Sequence, residues 1–177
     1  MKLFNKYQYD ENFIEKRCFS HHCVAEDYYG EKFWVKWIPG IDKNDIKLRM
    51  MSDMLRRLQG AKHACLPEIV DYGYDDDNHA YAIVYNYIAD ADSLENKVKD
   101  LSRQVIMSGL IDLAECLNHL YTDDRIFHGD IHPENILVNN DGQFFLIDFQ
   151  LAEATNMLSE KAGRYTRRSN QSITTLS

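Results

Sequence analysis

Several features are scarce in this 177-residue sequence, and each scarcity excludes a class of protein. The four cysteines form no Cys-x-x-Cys pair and stand at no zinc-finger spacing from a histidine pair, so we expect free thiols in a reducing cytosol. No apolar run is long enough to span a membrane, and the N-terminal MKLFNKYQYDENF has acids where a secretory signal would be apolar. These observations predict a cytoplasmic protein without a membrane span. A protein delivered into a host cytosol by an uncleaved signal would look the same.

Positive charge is also in short supply. The chain has 20 Lys and Arg against 28 Asp and Glu, a formal net charge of −8. An acidic chain repels a phosphate backbone, so nucleic acid is not expected as a partner. Hydrophobic residues make up 45% of the chain, which is enough for a packed core. The length predicts one domain, which could have two lobes.

The first half of the chain is predicted to be β-rich with one helix. Residues 13–38 contain two or three strands, and FWVKWI at 33–38 alternates as a strand with two distinct faces should. A helix is predicted to follow an N-cap at Asn44 and to end at Gly60. The segments EIVDYGY and HAYAIVYNYI then read as two strands joined by an acidic turn. The apolar positions on one face of the helix are Met51, Leu55 and Leu58.

The second half is predicted to be mainly helical, with short strands near its end. RIF, NILV and FFLIDF are the predicted strands, and NNDG forms the turn between the last two. From residue 155 the chain is polar and is predicted to be a loop or tail. We therefore expect an α+β fold with a β-rich lobe at 1–90 and a helical lobe at 91–177. One face of the predicted long helix carries Val105, Ile106, Leu110, Leu113, Leu117 and Leu120.

Three polar residues lie near these short strands. Asp130 and Asn135 occupy a loop between two of them, and Asp148 ends the strand that the NNDG hairpin brings back beside the loop. Carboxylate and carboxamide oxygens suit Mg²⁺ completed by substrate phosphates, and a further carboxylate can accept a hydroxyl proton. This combination is typical of phosphoryl transfer. The alternative is that each residue is an ordinary cap or turn residue, which explains any one of them but not the whole set.

The segment HGDIHPENILV at 128–138, followed by IDF, resembles the catalytic loop and metal-binding strand of the protein-kinase-like superfamily. Gly129 and His132 are similar to the aminoglycoside-phosphotransferase branch, which carries H-G-D-x-H-x-x-N. Residues 133–137 are similar to the eukaryotic-type serine/threonine kinases, which carry H-R-D-x-K-P-x-N-x-L. The resemblance implies a bilobal kinase-like fold with a small β-rich N-lobe and a truncated, mainly helical C-lobe.

The resemblance also implies roles for individual residues in this loop. Asp130 would be the catalytic base, and His132 would stand where protein kinases place a lysine near the transferred phosphate. Asn135 and Asp148 would bind Mg²⁺ beneath the phosphates of ATP. His128 would be structural, packed under the metal loop.

The resemblance extends into the first half of the chain at lower specificity. Lys36 in FWVKWI resembles the third-strand lysine that holds the phosphates of ATP, and a lysine inside an apolar strand needs such a partner. The alternative is an ordinary solvent-facing lysine on an alternating strand. YNYIADADSL resembles the hinge between the lobes. The other implied nucleotide-binding residues, each also a reasonable core residue, are Val24, Tyr85, Asn86, Ile88 and Leu137.

The phosphate-covering loop departs from the family pattern. Kinases place glycines there because the backbone must approach phosphate closely and adopt positive φ. In RCFSHHCV, the glycine positions are held by Arg17, Phe19 and His22. A side chain of Arg17, His21 or His22 could contact phosphate instead.

Other positions depart as well. Trp34 replaces the small alanine over the adenine, where an indole could stack on the base or fill its pocket. Met51 replaces the helix glutamate that should pair with Lys36, and Gln150 replaces the glycine after Asp-Phe. Only 27 residues follow Gln150, and they contain no Ala-Pro-Glu.

The sequence therefore predicts an ATP- and Mg²⁺-dependent phosphotransferase, with serine or threonine of a protein as the acceptor. The missing glycines, Trp34 and Met51 favour one alternative, a pseudokinase that serves as a binding or scaffolding module. HGD and His132 favour another, a small-molecule or glycan kinase. That class builds an acceptor pocket from a helical insert, which is not evident here.

Overall fold

A computed structural model describes residues 1–16 and 20–149. It confirms an α+β architecture of two sheets and two main helices, α1 (Ile46–Gly60) and α3 (Arg103–Thr122). A short helix α2 (Leu94–Lys97) lies between these two helices in the chain. Single 3₁₀ turns cover Glu11–Phe13 and Pro133–Asn135. The strands are β1 (Lys2–Leu3), β2 (Tyr7–Gln8), β3 (Glu15–Lys16), β4 (His21–Glu26), β5 (Lys32–Pro39), β6 (Ile69–Asp75), β7 (Ala80–Asn86), β8 (Asp92–Ser93), β9 (Ile136–Val138) and β10 (Phe144–Leu146).

The large sheet is antiparallel, with the strand order β1-β2-β4-β5-β7-β6 and β3 paired to β4. Alternation along β5 gives it two different faces. Phe33, Val35 and Trp37 are buried on one face, where Tyr7 packs edge-on against Phe33 and Tyr9 packs on Trp37. The N-terminal hairpin therefore covers one face of the sheet and leaves the other face for α1 and the remaining elements.

The helix α1 packs on that other face. It begins one residue later than predicted, because the Asp45 side chain accepts the Lys47 backbone N–H and so acts as the N-cap in place of Asn44. The predicted apolar face is largely correct: Leu55 and Leu58 are buried, and Met51 is partly buried against the same cluster.

The predicted face of α3 is only partly correct. Leu113 and Leu120 are buried as expected, but Leu110 is 44% exposed. The buried stripe instead runs through Gly109 and Cys116, because Phe144 of β10 packs directly against Gly109. The exposed large hydrophobic side chains on this helix are Met107, Leu110, Ile111 and Tyr121.

The small sheet has the order β10-β9-β8 and carries the loop that the sequence singled out. The hairpin β9–β10 turns at 139–142 as predicted, with the Gly142 N–H bonded to the Asn139 carbonyl and Gly142 at a φ of +76°. The predicted strand RIF is wrong, because residues 125–127 form no strand pair in the described structure. The predicted lobe boundary between residues 90 and 91 stays a prediction.

The described cysteines are free thiols, as expected. Cys23, Cys65 and Cys116 are buried and form no disulfide, and burial raises the pKa of the Cys65 thiol to about 11. Cys18 lies outside the described residues. No helix within the described ranges is long and apolar enough to cross a membrane.

Candidate active site

A cleft of about 400 Å³ lies between the two sheets. Trp34 and Lys36 of β5 line one wall, and Leu137 of β9 lines the opposite wall. Asn135 and Asp148 also line it, so two of the three polar residues predicted to converge do open into one cavity. The volume falls within the usual range for small-molecule sites.

Asp148 lies two residues after β10 and lines this cleft. Its backbone has a φ of +72°, a left-handed conformation that non-glycine residues adopt at a cost. Its Oδ2 lies 2.9 Å from Lys36 Nζ, and both side chains are largely buried. Its Oδ1 is buried and accepts no hydrogen bond within the described structure. A buried carboxylate oxygen without a donor is costly, so this atom is an open ligand position.

Asn135 links Asp130 to the hairpin that carries Asp148. The Asn135 Nδ2 donates to the Asp130 carbonyl at 2.9 Å and to Asp130 Oδ2 at 3.2 Å. The Asn135 backbone carbonyl accepts the Ile147 backbone N–H at 3.0 Å. Asn135 is only 7% exposed, and its bonds hold the loop of Asp130 against the segment that carries Ile147. The structure therefore brings Asp130, Asn135 and the Asp148 segment together, although Asp130 itself does not line the cleft.

His128 is buried beneath this arrangement, as the resemblance implied. Its Nδ1 accepts the Asp130 backbone N–H at 3.2 Å, which places its single proton on Nε2, 2.7 Å from the Ile147 carbonyl oxygen. Its ring packs edge-on against Phe149 with centroids 4.6 Å apart. Burial lowers the pKa of His128 more than its hydrogen bond to Ile147 raises it. The neutral ring therefore joins the loop of Asp130 to the segment of Asp148.

His132 lies close to the proposed base. Its Nε2 is 3.6 Å from Asp130 Oδ2, and its Nδ1 is 3.9 Å from Glu134 Oε2. Its side chain is partly exposed and is not among the residues that line the cleft. His132 therefore lies beside Asp130 and outside the cleft lining, and its catalytic role stays a prediction.

Lys36 has no acidic partner on α1. The helix contains a single acid, Asp53, which is exposed and pairs with Arg56. Met51 instead joins the apolar cluster, and Asp148 is the acid that pairs with Lys36. The sequence-based expectation that Lys36 lacks a clamp from α1 agrees with this geometry.

The other residues predicted to bind nucleotide divide into two groups. Tyr85, Asn86, Ile88 and Leu137 line the cleft, but Val24 is 37% exposed and lies outside the lining. Burial, and to a lesser extent the charge of Asp148, raise the pKa of the Tyr85 hydroxyl. The positions that depart from the kinase pattern include Arg17, Phe19 and Gln150, and these three lie outside the described residues.

Sequence reasoning missed Glu15, which lines the cleft beside His22. The two residues are cross-strand partners between β3 and β4, and His22 Nε2 lies 2.9 Å from Glu15 Oε2. A two-residue strand such as β3 has no readable periodicity, so only the observed pairing could identify Glu15.

A divalent cation fits the donors of this cleft. Asp148 Oδ1 needs a partner, and a carboxylate oxygen is a preferred ligand of Mg²⁺. With its amide nitrogen bonded to Asp130, Asn135 is left with its carboxamide oxygen as the atom that could face a cation. No group of three or more His, Cys, Asp or Glu that could hold a metal ion occurs within the described ranges.

Comparison with known proteins identifies the family. A model described as the protein kinase domain matches residues 23–172. The chain belongs to this family. Kinase membership confirms the predicted superfamily and the bilobal α+β fold.

Individual relatives are also kinases. A serine/threonine-protein kinase candidate of Acanthamoeba polyphaga mimivirus is 32% identical over 119 residues, 63% of this chain and 42% of that protein. The serine/threonine-protein kinase UCNL of Arabidopsis thaliana is 27% identical over 76% of this chain and 34% of its own length. A dual specificity protein kinase of Mycosarcoma maydis is 28% identical over 66% of this chain and 28% of its own length. The chain thus spans less than half of each of these kinases.

Proposed function

We propose that this kinase-family chain binds ATP with Mg²⁺ in the cleft and transfers a phosphoryl group to a serine or threonine hydroxyl of a protein. The observation that carries the proposal is the state of Asp148. One of its oxygens pairs with Lys36, and the other is buried without a donor in the described structure. A structural aspartate would have both oxygens satisfied, whereas a metal ligand needs one left open.

Each residue of the site then has a defined task. Lys36 would hold phosphate oxygens, and Asn135 with Asp148 would hold the cation. Mg²⁺ bound there would neutralise phosphate charge. Asp130 would accept the proton of the attacking hydroxyl, while that oxygen forms its bond to phosphorus and the bond to the departing diphosphate breaks. His128 and Asn135 would keep Asp130 in place through the bonds described above. Most of the rate would come from placement and charge stabilisation.

Thermal denaturation with and without Mg-ATP tests nucleotide binding. At 100 times its Kd the ligand should stabilise the parent by about 2.7 kcal/mol. We expect Asp148→Asn to lose the Mg²⁺-dependent part of this shift. Asp141→Asn is the matched control, since it makes the same chemical change at an exposed position of the same hairpin. A parent protein that shows no shift would contradict the proposal.

Labelled ATP tests the transfer itself. We expect incorporation into generic protein acceptors, reduced about 10²- to 10⁴-fold in Asp130→Asn, since this range is typical for loss of a general base. Sugars and aminoglycosides, offered in parallel, should remain unlabelled. Labelling of these small molecules but not of protein would favour the small-molecule kinase instead.

A non-catalytic binding module is the second candidate, and two observations favour it. Lys36 is paired with Asp148 rather than with an acid from α1, and the bulky Trp34 lines the cleft. For this candidate we expect stabilisation by nucleotide without any labelled product. The same two assays therefore separate a binding module from an enzyme.

A further inference from the structure

Trp34 of β5 is one of the residues that line the cleft. In the sheet it lies opposite Val24 on one side and Tyr85 on the other. Its neighbours Phe33 and Val35 are buried on the far face, so strand alternation directs Trp34 to the same side as Lys36. The indole lines the cleft together with Lys36, and the cleft keeps its volume of about 400 Å³. Trp34 therefore narrows the site without filling it.

The indole is held against this wall by a second ring. The His22 and Trp34 rings have centroids 4.9 Å apart and planes inclined by 33°. His22 is itself largely buried and bonded to Glu15. Glu15 and His22 both line the cleft beside Trp34. This chain of contacts limits the freedom of the indole to swing down onto the opposite wall.

We propose that Trp34 is a specificity-determining residue that stacks on the base of the nucleotide, an inference that rests on the proposed nucleotide-binding function. A flat heteroaromatic ring bound in the cleft would have the indole of β5 and the aliphatic Leu137 of β9 as apolar lining. Stacking on an aromatic side chain contributes substantially for any base, because every base has a π-face. The ligand class is therefore a base-bearing nucleotide rather than a bare polyphosphate.

The experiment compares Mg-ATP with Mg-tripolyphosphate, which has the phosphates but no base. Binding of each is measured by calorimetry to the parent and to Trp34→Leu, with circular dichroism to check folding. We expect Trp34→Leu to bind ATP roughly 10- to 100-fold more weakly, the range set by the loss of one stacking contact, with tripolyphosphate affinity unchanged. Trp34→Phe should recover part of the loss. Tyr29→Leu is the matched control, an aromatic-to-aliphatic change at a fully solvent-facing position outside the cleft.

Fluorescence provides an independent measurement, because the chain has only two tryptophans. Trp37 is 2% exposed on the opposite face of the sheet and donates to Asp75, so it serves as an internal reference. ATP should change the emission of the parent, and tripolyphosphate should not.

Two results would overturn the inference, and they differ in what they say of the proposed function. If Trp34→Leu binds ATP as tightly as the parent, the indole does not contribute to binding of the base, and if it binds more tightly, the indole is an obstruction. In both cases nucleotide binding itself stands. If the parent binds neither ligand, both the stacking role and the proposed function fail.

Discussion

Gly109 allows α3 to pack against β10, and replacing it tests that packing directly. An added Cβ would lie within 2.5 Å of Cγ and Cε2 of Phe144. Phe144 is 1% exposed in the main core cluster, so its ring has no free space to move into. We therefore expect Gly109→Ala to destabilise the fold, although alanine is the better helix former.

The expected size of the effect follows from two opposing contributions. Glycine to alanine in an open helix stabilises by about 1 kcal/mol. Overpacking a core costs about 1 to 3 kcal/mol, and an overlap with a confined ring belongs in the upper part of that range. The net expectation is a loss of about 1 to 2 kcal/mol in the free energy of unfolding.

Urea denaturation of four variants would measure this: Gly109→Ala, Gly60→Ala, Phe144→Leu, and the double variant of Gly109→Ala with Phe144→Leu. Gly60→Ala is the matched control, because a Cβ at Gly60 meets nothing within 4 Å and should leave stability unchanged or raise it. Adding Phe144→Leu to Gly109→Ala should relieve the overlap, giving a double variant more stable than the sum of the single changes predicts. If Gly109→Ala proves as stable as Gly60→Ala, the close packing of α3 on β10 is incorrect.

Three further predictions concern single side chains. Because burial lowers the pKa of His128, the unfolded chain takes up a proton near pH 6.5 that the folded chain does not. The free energy of unfolding should therefore fall as the pH drops below about 6.5, by at most about 1.4 kcal/mol per pH unit. Urea denaturation of His128→Phe at several pH values should show a flatter pH profile than the parent. Trp37→Phe removes the 2.7 Å hydrogen bond to buried Asp75 and should cost about 1 to 3 kcal/mol by urea denaturation, whereas no loss would mean that the bond is not formed. Ser102→Ala removes the side-chain cap on the Val105 N–H and should lower the free energy of unfolding by about 1 kcal/mol, again by urea denaturation, and an unchanged midpoint would contradict the cap.

Local sequence patterns predicted most elements that depend on neighbouring residues. The hairpin at 139–142 and the extent of α1 follow from turn residues, caps and short-range periodicity, and the structure reproduces both within a residue or two. The buried side of α3 was harder to predict, because the helix has apolar residues on more than one face. Its packing partner, Phe144, decides which of these faces is covered.

The spatial convergence of the polar residues was predictable within one segment and less so between segments. Asp130 and Asn135 are five residues apart, so their contact follows from a single loop. Val24, however, was placed at the nucleotide by alignment with a family pattern. In the sheet Val24 lies opposite Trp34, is 37% exposed and does not line the cleft, a placement that no local pattern specifies.

The sequence by itself determined which chemical groups this protein can use, because the segment from His128 to Asp148 fixes the types and spacing of the acids, the amide and the histidines. The tertiary structure alone decided that Lys36 pairs with Asp148 and that His22 and Trp34 form one wall of the cleft. These contacts bring together residues on different elements of the fold: Lys36 on β5 with Asp148 after β10, and His22 on β4 with Trp34 on the paired strand β5. Their geometry results from sheet registry and core packing, so the order of residues alone does not reveal it.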